Sequence, residues 1–173
     1  MGFFLFTGLP QPMLPVLPSY EVTLTAYNAV PSQTDSDPLV TASGIYSNPE
    51  IVAARSRDLA KELPFGTIIE INGPSVSGNT CGYEVVAPII GYRIIADSMN
   101  ARFTDRIDIL FSTKSNYTMP DGKVKNAGKV LGICNDSTIR VVGFVDLTDS
   151  KHIPKTQNEL ATIVVGKDGL AIK

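Results

Sequence analysis

The chain has no tryptophan, one histidine and two cysteines. Cys81 and Cys134 show no C-x-x-C spacing and His152 is the lone imidazole, so an ordinary zinc site is excluded and no metal is expected. The same scarcity leaves a nucleophilic triad without a base, because His152 sits in the polar stretch Ser150-Lys151-His152-Ile153-Pro154 and reads as a surface residue. Charge is also sparse: 18% of residues are charged and the formal net charge is −2. The basic residues are scattered apart from Lys123, Lys125 and Lys129, and without a basic stripe no nucleic-acid partner is expected. Neither G-x-x-x-x-G-K-[ST] nor a G-x-G-x-x-G following a strand occurs, so no phosphate-bearing cofactor is expected.

Long apolar runs are missing as well. The start, Met1-Gly2-Phe3-Phe4-Leu5-Phe6-Thr7-Gly8-Leu9-Pro10, has no basic residue before it and is interrupted by Pro10, Pro12, Pro15 and Pro18. It reads neither as a secretory signal nor as a membrane span, which needs about 20 apolar residues. An apolar arm of this kind is expected to lie against its own domain or a protein partner. The two cysteines leave two readings open: one disulfide in an oxidising compartment, or two small buried hydrophobes.

What the chain does hold is enough for one domain: 173 residues, 43% of them hydrophobic. Tyr20 to Tyr27 alternates with period two and is rich in β-branched and aromatic residues, as a half-buried strand should be. Further strands are expected at Thr67–Asn72, Gly82–Ala87, Gly91–Asp97, Arg106–Phe111, Thr138–Val145 and Ala161–Val165. Asn28 to Gly44, dense in Pro, Ser, Thr and Asp, reads as a long loop. Glu50 to Leu63, with alanines and leucines broadly at helical spacing and Pro64 as a stop, predicts a short helix or turn. Many short strands separated by Gly, Pro, Asn and Ser point to an all-β, closed or nearly closed architecture.

The carboxylates are the chemically informative residues. Asp97 ends the apolar run Tyr92-Arg93-Ile94-Ile95-Ala96, and Asp108 lies inside Ile107-Asp108-Ile109-Leu110-Phe111. A carboxylate among large aliphatics is costly to bury unpaired, so its position needs a reason. Alternation alone supplies one, with Ile107 and Ile109 in the core and Asp108 on a wet outer face. A partly apolar cleft supplies another: burial and a neighbouring Asp97 or Asp105 would raise the Asp108 pKa until it holds a proton near neutrality.

A set of short motifs occurs in a fixed order. Thr25-Ala26-Tyr27 is followed by Gln33-Thr34-Asp35-Ser36-Asp37-Pro38, Thr41-Ala42-Ser43-Gly44, Val52-Ala53-Ala54-Arg55-Ser56-Arg57-Asp58-Leu59 and Leu63-Pro64-Phe65-Gly66-Thr67. Then come Ile95-Ala96-Asp97-Ser98-Met99-Asn100-Ala101-Arg102, Arg106-Ile107-Asp108-Ile109, Leu131-Gly132 and Ile139-Arg140-Val141-Val142. Over roughly residues 22–143 this order resembles the three-aspartate (3D) domain family. That family includes the catalytic part of membrane-bound lytic transglycosylase A and stationary-phase survival proteins of spore-forming bacteria. One departure is that many members carry Asp-Thr-Gly-Gly-Ala-Ile-Lys-Gly where this chain has Asp97-Ser98-Met99-Asn100-Ala101-Arg102-Phe103-Thr104.

The resemblance implies a six-stranded double-psi β-barrel with one or two short helices over residues 20–145. The apolar arm of residues 1–19 would precede it, and an extension of residues 146–173 would pack on or beside it. It further implies cleavage of the β-1,4 bond between N-acetylmuramic acid and N-acetylglucosamine, with no cofactor. Asp35, Asp97 and Asp108 would be the three aspartates and Asp108 the acid/base, with Asp37 able to take the place of Asp35 and Asp105 a bystander. Thr41, Ser43, Ser98 and Asn100 would hydrogen-bond the glycan strand. Such a protein belongs in the cell envelope, the periplasm or outside the cell, or in a virion that opens the wall, its arm ordered on a neighbouring subunit. A non-catalytic barrel that binds glycan or serves assembly stands as the alternative, because fold does not fix activity.

Overall fold

The computed structural model describes residues 17–34, 37–75 and 81–170, with backbone only for 166–170. The apolar arm before Leu17, and Asp35, therefore lie outside the described residues. Six strands close a barrel: β1 (Ser19–Asn28), β2 (Val52–Arg55), β3 (Thr67–Asn72), β4 (Arg93–Ser98), β5 (Arg106–Phe111) and β8 (Cys134–Phe144). Their order around it is β1-β5-β2-β4-β3-β8. A separate two-stranded hairpin is made by β6 (Asn116–Thr118) and β7 (Val124–Asn126). Three α-helices, α1 (Tyr83–Val86), α2 (Ala127–Leu131) and α3 (Gln157–Leu170), and two 3-10 turns, Arg57–Ala60 and Ala87–Ile89, complete the elements of the described residues.

The pairing map has an internal symmetry. β1–β5 and β2–β4 are parallel, and the other four barrel pairs are antiparallel. Exchanging β1, β2 and β3 with β4, β5 and β8 leaves every pair in place. Such crossed parallel pairs force each half of the chain to thread through the other. The result is the all-β barrel that strand spacing and resemblance both implied.

Period-two alternation divides the side chains into two layers. Leu24, Ala53, Ile69, Ile95, Ile107, Ile109 and Ile139 fill the barrel interior. Tyr27, Val52, Ala54, Ile68, Ile94, Ala96 and Leu110 point outward into a second apolar layer, which Leu160 and Val164 of α3 help to cover. The strands are therefore buried on both sides over much of their length, which accounts for near-continuous aliphatic runs such as Ile94-Ile95-Ala96. Gly66 opens β3 at φ +97°, where a Cβ would stand 2.3 Å from the Val145 carbonyl oxygen, so only glycine fits.

Three expectations are corrected. Where a short helix or turn was expected over Glu50–Leu63, the segment holds strand β2 followed by one 3-10 turn (Arg57–Ala60). Small Ala53 and Ala54 serve there as two-sided strand residues, and barrel closure overrides their helical propensity. Gly82–Ala87, expected as a strand, contains α1, pinned by the Cys81–Cys134 disulfide and by the Gly82 N–H donating to the Leu131 carbonyl at 2.9 Å. Ala161–Val165, also expected as a strand, lies within α3. Its start carried a helix signal that β-branched content masked: in Thr156-Gln157-Asn158-Glu159 the Thr156 hydroxyl accepts the Glu159 N–H at 3.2 Å.

The disulfide decides between the two readings of the cysteines. It joins residues 53 apart in sequence, with Cα atoms at 5.3 Å, and ties the α1 segment to the first residue of β8. His152 is exposed on its loop and pairs with Asp149. No helix among the described residues is long and apolar enough to cross a membrane.

Candidate active site

Strand register sets the site. Thr25 on β1 pairs with Asp108 on β5, Asp108 pairs with Ala54 on β2, and Ala54 pairs with Asp97 on β4. The four residues form one row across four adjacent strands on the outer face of the barrel. Two strand spacings separate the two aspartates, placing their Cα atoms about 10 Å apart. The residue between them is an alanine, whose single methyl leaves the gap open.

Asp97 reaches this row through a β-bulge. The β2–β4 register steps from Ala53↔Ile95 to Ala54↔Asp97, so Ala96 is an extra residue. Ile95 faces the barrel interior, and strict alternation would send Asp97 there too. The bulge turns it outward, and the Ala96 carbonyl accepts the N–H of Ser43 at 3.0 Å, which ties the long loop to this point.

The two carboxylates sit in different surroundings. Asp97 receives three donors: the Tyr27 hydroxyl on Oδ2 at 2.8 Å, and the Ala42 and Ser98 N–H groups on Oδ1, both at 2.9 Å. Tyr27 is buried, and that burial, with the neighbouring Asp97 charge, pushes its own pKa upward, so it remains a donor. Asp108 is half-buried and receives the Thr25 hydroxyl at 2.8 Å. Burial pushes its pKa up to about 6 and repulsion from Asp97 adds to the rise, against the opposing Thr25 hydrogen bond and Arg106 charge.

Above the row lies a cleft of about 600 Å³, with Asp97, Asp108, Ala54 and Tyr27 in its lining. Ser98 and Asn100 line it as well. Thr41 and Ser43 do not: Thr41 is buried, its hydroxyl donates to the Ile45 carbonyl at 3.1 Å and lies 3.0 Å from the Ser43 hydroxyl, so the pair braces the loop. Asp37 is exposed outside the lining, and Asp105 is exposed at φ +48° with its N–H donating to Asp58 at 2.9 Å. Among the described residues, no group of three or more His, Cys, Asp or Glu side chains is placed to hold a metal ion.

Alternation thus described Asp108 correctly as outward-facing, with Ile107 and Ile109 fully buried inside, but the outer face at this point is a cleft wall. Tyr27, Ala54, Arg57 and Arg102 also line the cleft, and no role for them was expected from sequence. Tyr27 had a usable signal, sharing the parity of Thr25 on β1. Ala54 had none, because its importance comes from the two strands beside it. No protein-family model matches this chain, and no curated protein matches it.

Proposed function

We propose that the chain is a peptidoglycan lytic transglycosylase of the three-aspartate kind, acting with Asp108 as its single acid/base. The observation that carries this reading is the asymmetry of the two carboxylates. Both oxygens of Asp97 are engaged by three donors, while Asp108 has one hydroxyl partner and is held near pKa 6 by burial. A glycoside hydrolase needs a second free carboxylate to activate water or attack the sugar. A lytic transglycosylase uses the C6 hydroxyl of the muramoyl residue, so one free carboxyl group is enough.

The chemistry then runs in two proton transfers. Protonated Asp108 gives its proton to the glycosidic oxygen as the C1–O4 bond breaks and the N-acetylglucosamine leaves as an alcohol. The Asp108 carboxylate next takes the proton of the C6 hydroxyl, whose oxygen bonds to C1 and closes the 1,6-anhydro ring. Burial, with a smaller contribution from the Asp97 charge, raises the Asp108 pKa, and the Tyr27–Asp97 hydrogen bond ties β1 to β4 across the row. The Cys81–Cys134 bond suits a protein working outside the reducing cytosol, at the cell envelope or beyond it.

Digestion of purified murein sacculi followed by mass spectrometry tests the assignment. Anhydromuropeptides are the expected product. Reducing ends would mean hydrolysis, and intact sacculi would leave the barrel as a binding or assembly module.

A further inference from the structure

The cleft that holds the acids also holds two arginines. Arg57 begins the 3-10 turn directly after β2, and Arg102 lies in the loop between β4 and β5. Both are exposed and both line the cleft. The segments that carry them are stitched together, the Met99 N–H donating to the Arg55 carbonyl at 2.9 Å and the Ser56 N–H to the Arg106 carbonyl at 2.9 Å. The segments that carry the two cations are therefore neighbours at the cleft wall.

Neither guanidinium forms a salt bridge among the described residues, although Asp97 and Asp108 line the same cleft. Their separation has structural reasons. The Asp97 oxygens are taken by Tyr27, Ala42 and Ser98. Arg102 is stacked on the ring of Phe103, 4.7 Å from its centroid, and Arg106 lies at the same 4.7 Å distance from that ring. The stack fixes the Arg102 head before any ligand arrives and leaves its hydrogen-bonding edge unused.

A planar fork of N–H donors held without an acceptor suits a carboxylate better than a neutral hydroxyl or acetamide. We propose that Arg57 and Arg102 bind a carboxylate of the substrate beside the reacting bond, so that the cleft selects an anionic glycan strand over a neutral one. This rests on the glycan reading above. On peptidoglycan the carboxylate has two sources, the lactyl group of muramic acid once its peptide is removed and the acidic residues of the attached peptide. The shared chemistry is the carboxylate; substrate preparation separates the sources.

The test uses the full chain carrying Asp108→Asn, so that ligand is not turned over, and calorimetry against three ligands. These are uncrosslinked glycan strands with peptides, the same strands stripped of peptide by an amidase, and chitooligosaccharide, which has β-1,4-linked N-acetylglucosamine without any carboxylate. One or both muramoyl ligands should bind about tenfold more tightly than chitooligosaccharide, the value of one good charge-assisted contact pair. Adding Arg57→Gln or Arg102→Gln should erase that gap and leave chitooligosaccharide affinity unchanged, and Lys125→Gln, at an exposed β7 position outside the cleft lining, should leave the gap intact. Tighter binding of stripped strands assigns the lactyl carboxylate; tighter binding only of peptide-bearing strands assigns the peptide. Equal affinity for all three ligands, or arginine variants that weaken all three alike, overturns carboxylate selection and leaves the glycan reading standing. Binding to none of them overturns both.

Discussion

Asp97 and Asp108 stand on the two strands that flank β2, each in register with Ala54. One residue thus separates a carboxylate held by three donors from a carboxylate held by one hydroxyl. The difference between the two follows from what each loop brings to the row. β1 offers Thr25 to Asp108, while the far end of β1 and the long loop offer Tyr27 and Ala42 to Asp97.

Asp108 must carry a proton to act as an acid, so its pKa of about 6 fixes the pH profile. Turnover of sacculi should decline as pH rises above about 6, by roughly tenfold per unit once the acid form is the minor species. Asp108→Asn should lower the rate by about 10²–10⁴-fold at pH 5.5. A variant that retains full activity, or a rate that is flat from pH 5 to 8, would falsify the role given to this residue.

The same group should trade stability for activity. Its pKa is raised from 3.8 to about 6 on folding, so the folded state holds the proton more tightly. That contribution is complete below the unfolded value and is lost as pH rises through about 6, leaving an ionised carboxylate that costs stability. Asp108→Asn removes the cost and should raise unfolding free energy by about 1–3 kcal/mol at pH 7.5, with the gain shrinking toward pH 4. Urea melts at the two pH values decide this, and a destabilised variant at pH 7.5 would contradict the burial argument.

Ala54 should be intolerant of size. Ala54→Val adds two methyl groups to a site that is 4% exposed and lies between the acids. A loss of about 1–3 kcal/mol in stability is expected from overpacking. The activity of the fraction that remains folded should fall further than that, because the gap over the row closes. Ala54→Ser, close in volume, should keep most of the rate; equal rates for all three residues would show that the gap is not where the substrate sits.

The Cys81–Cys134 bond should matter to stability and not to chemistry. It closes a loop across 53 positions, and Cys134, which pairs with Leu24 on β1, packs in the inner core while the aspartate row faces outward. Replacing both cysteines with serine should lower unfolding free energy by about 2–4 kcal/mol, mostly by freeing the unfolded chain. Turnover at 25 °C should change little. A large fall in turnover without a fall in stability would place the bond at the site.

Much of the barrel was legible in sequence. β1 alternates at period two, β3, β4 and β5 carry short β-branched and aliphatic runs ended by turn residues, and local chemistry of that kind survives into the fold. β2 was not legible, because two alanines suit a helix or a strand equally and only its neighbours decide. The helices α1 and α3 failed for the same reason, their short apolar stretches being ambiguous until a disulfide and an outer apolar layer gave them a place.

The site divides in the same way. By itself, the sequence determined which residue types were available: scattered acids, one exposed imidazole, no phosphate loop, and Asp108 between two inward isoleucines, because side-chain alternation is a property of the backbone alone. Tertiary structure alone decided that Asp97 shares a row with Asp108, that Tyr27 and Ala42 occupy Asp97, and that Thr41 and Ser43 brace the long loop in place of lining the cleft. Those facts depend on a bulge at Ala96 and on the register of strands dozens of residues apart, and register is fixed only when the barrel closes.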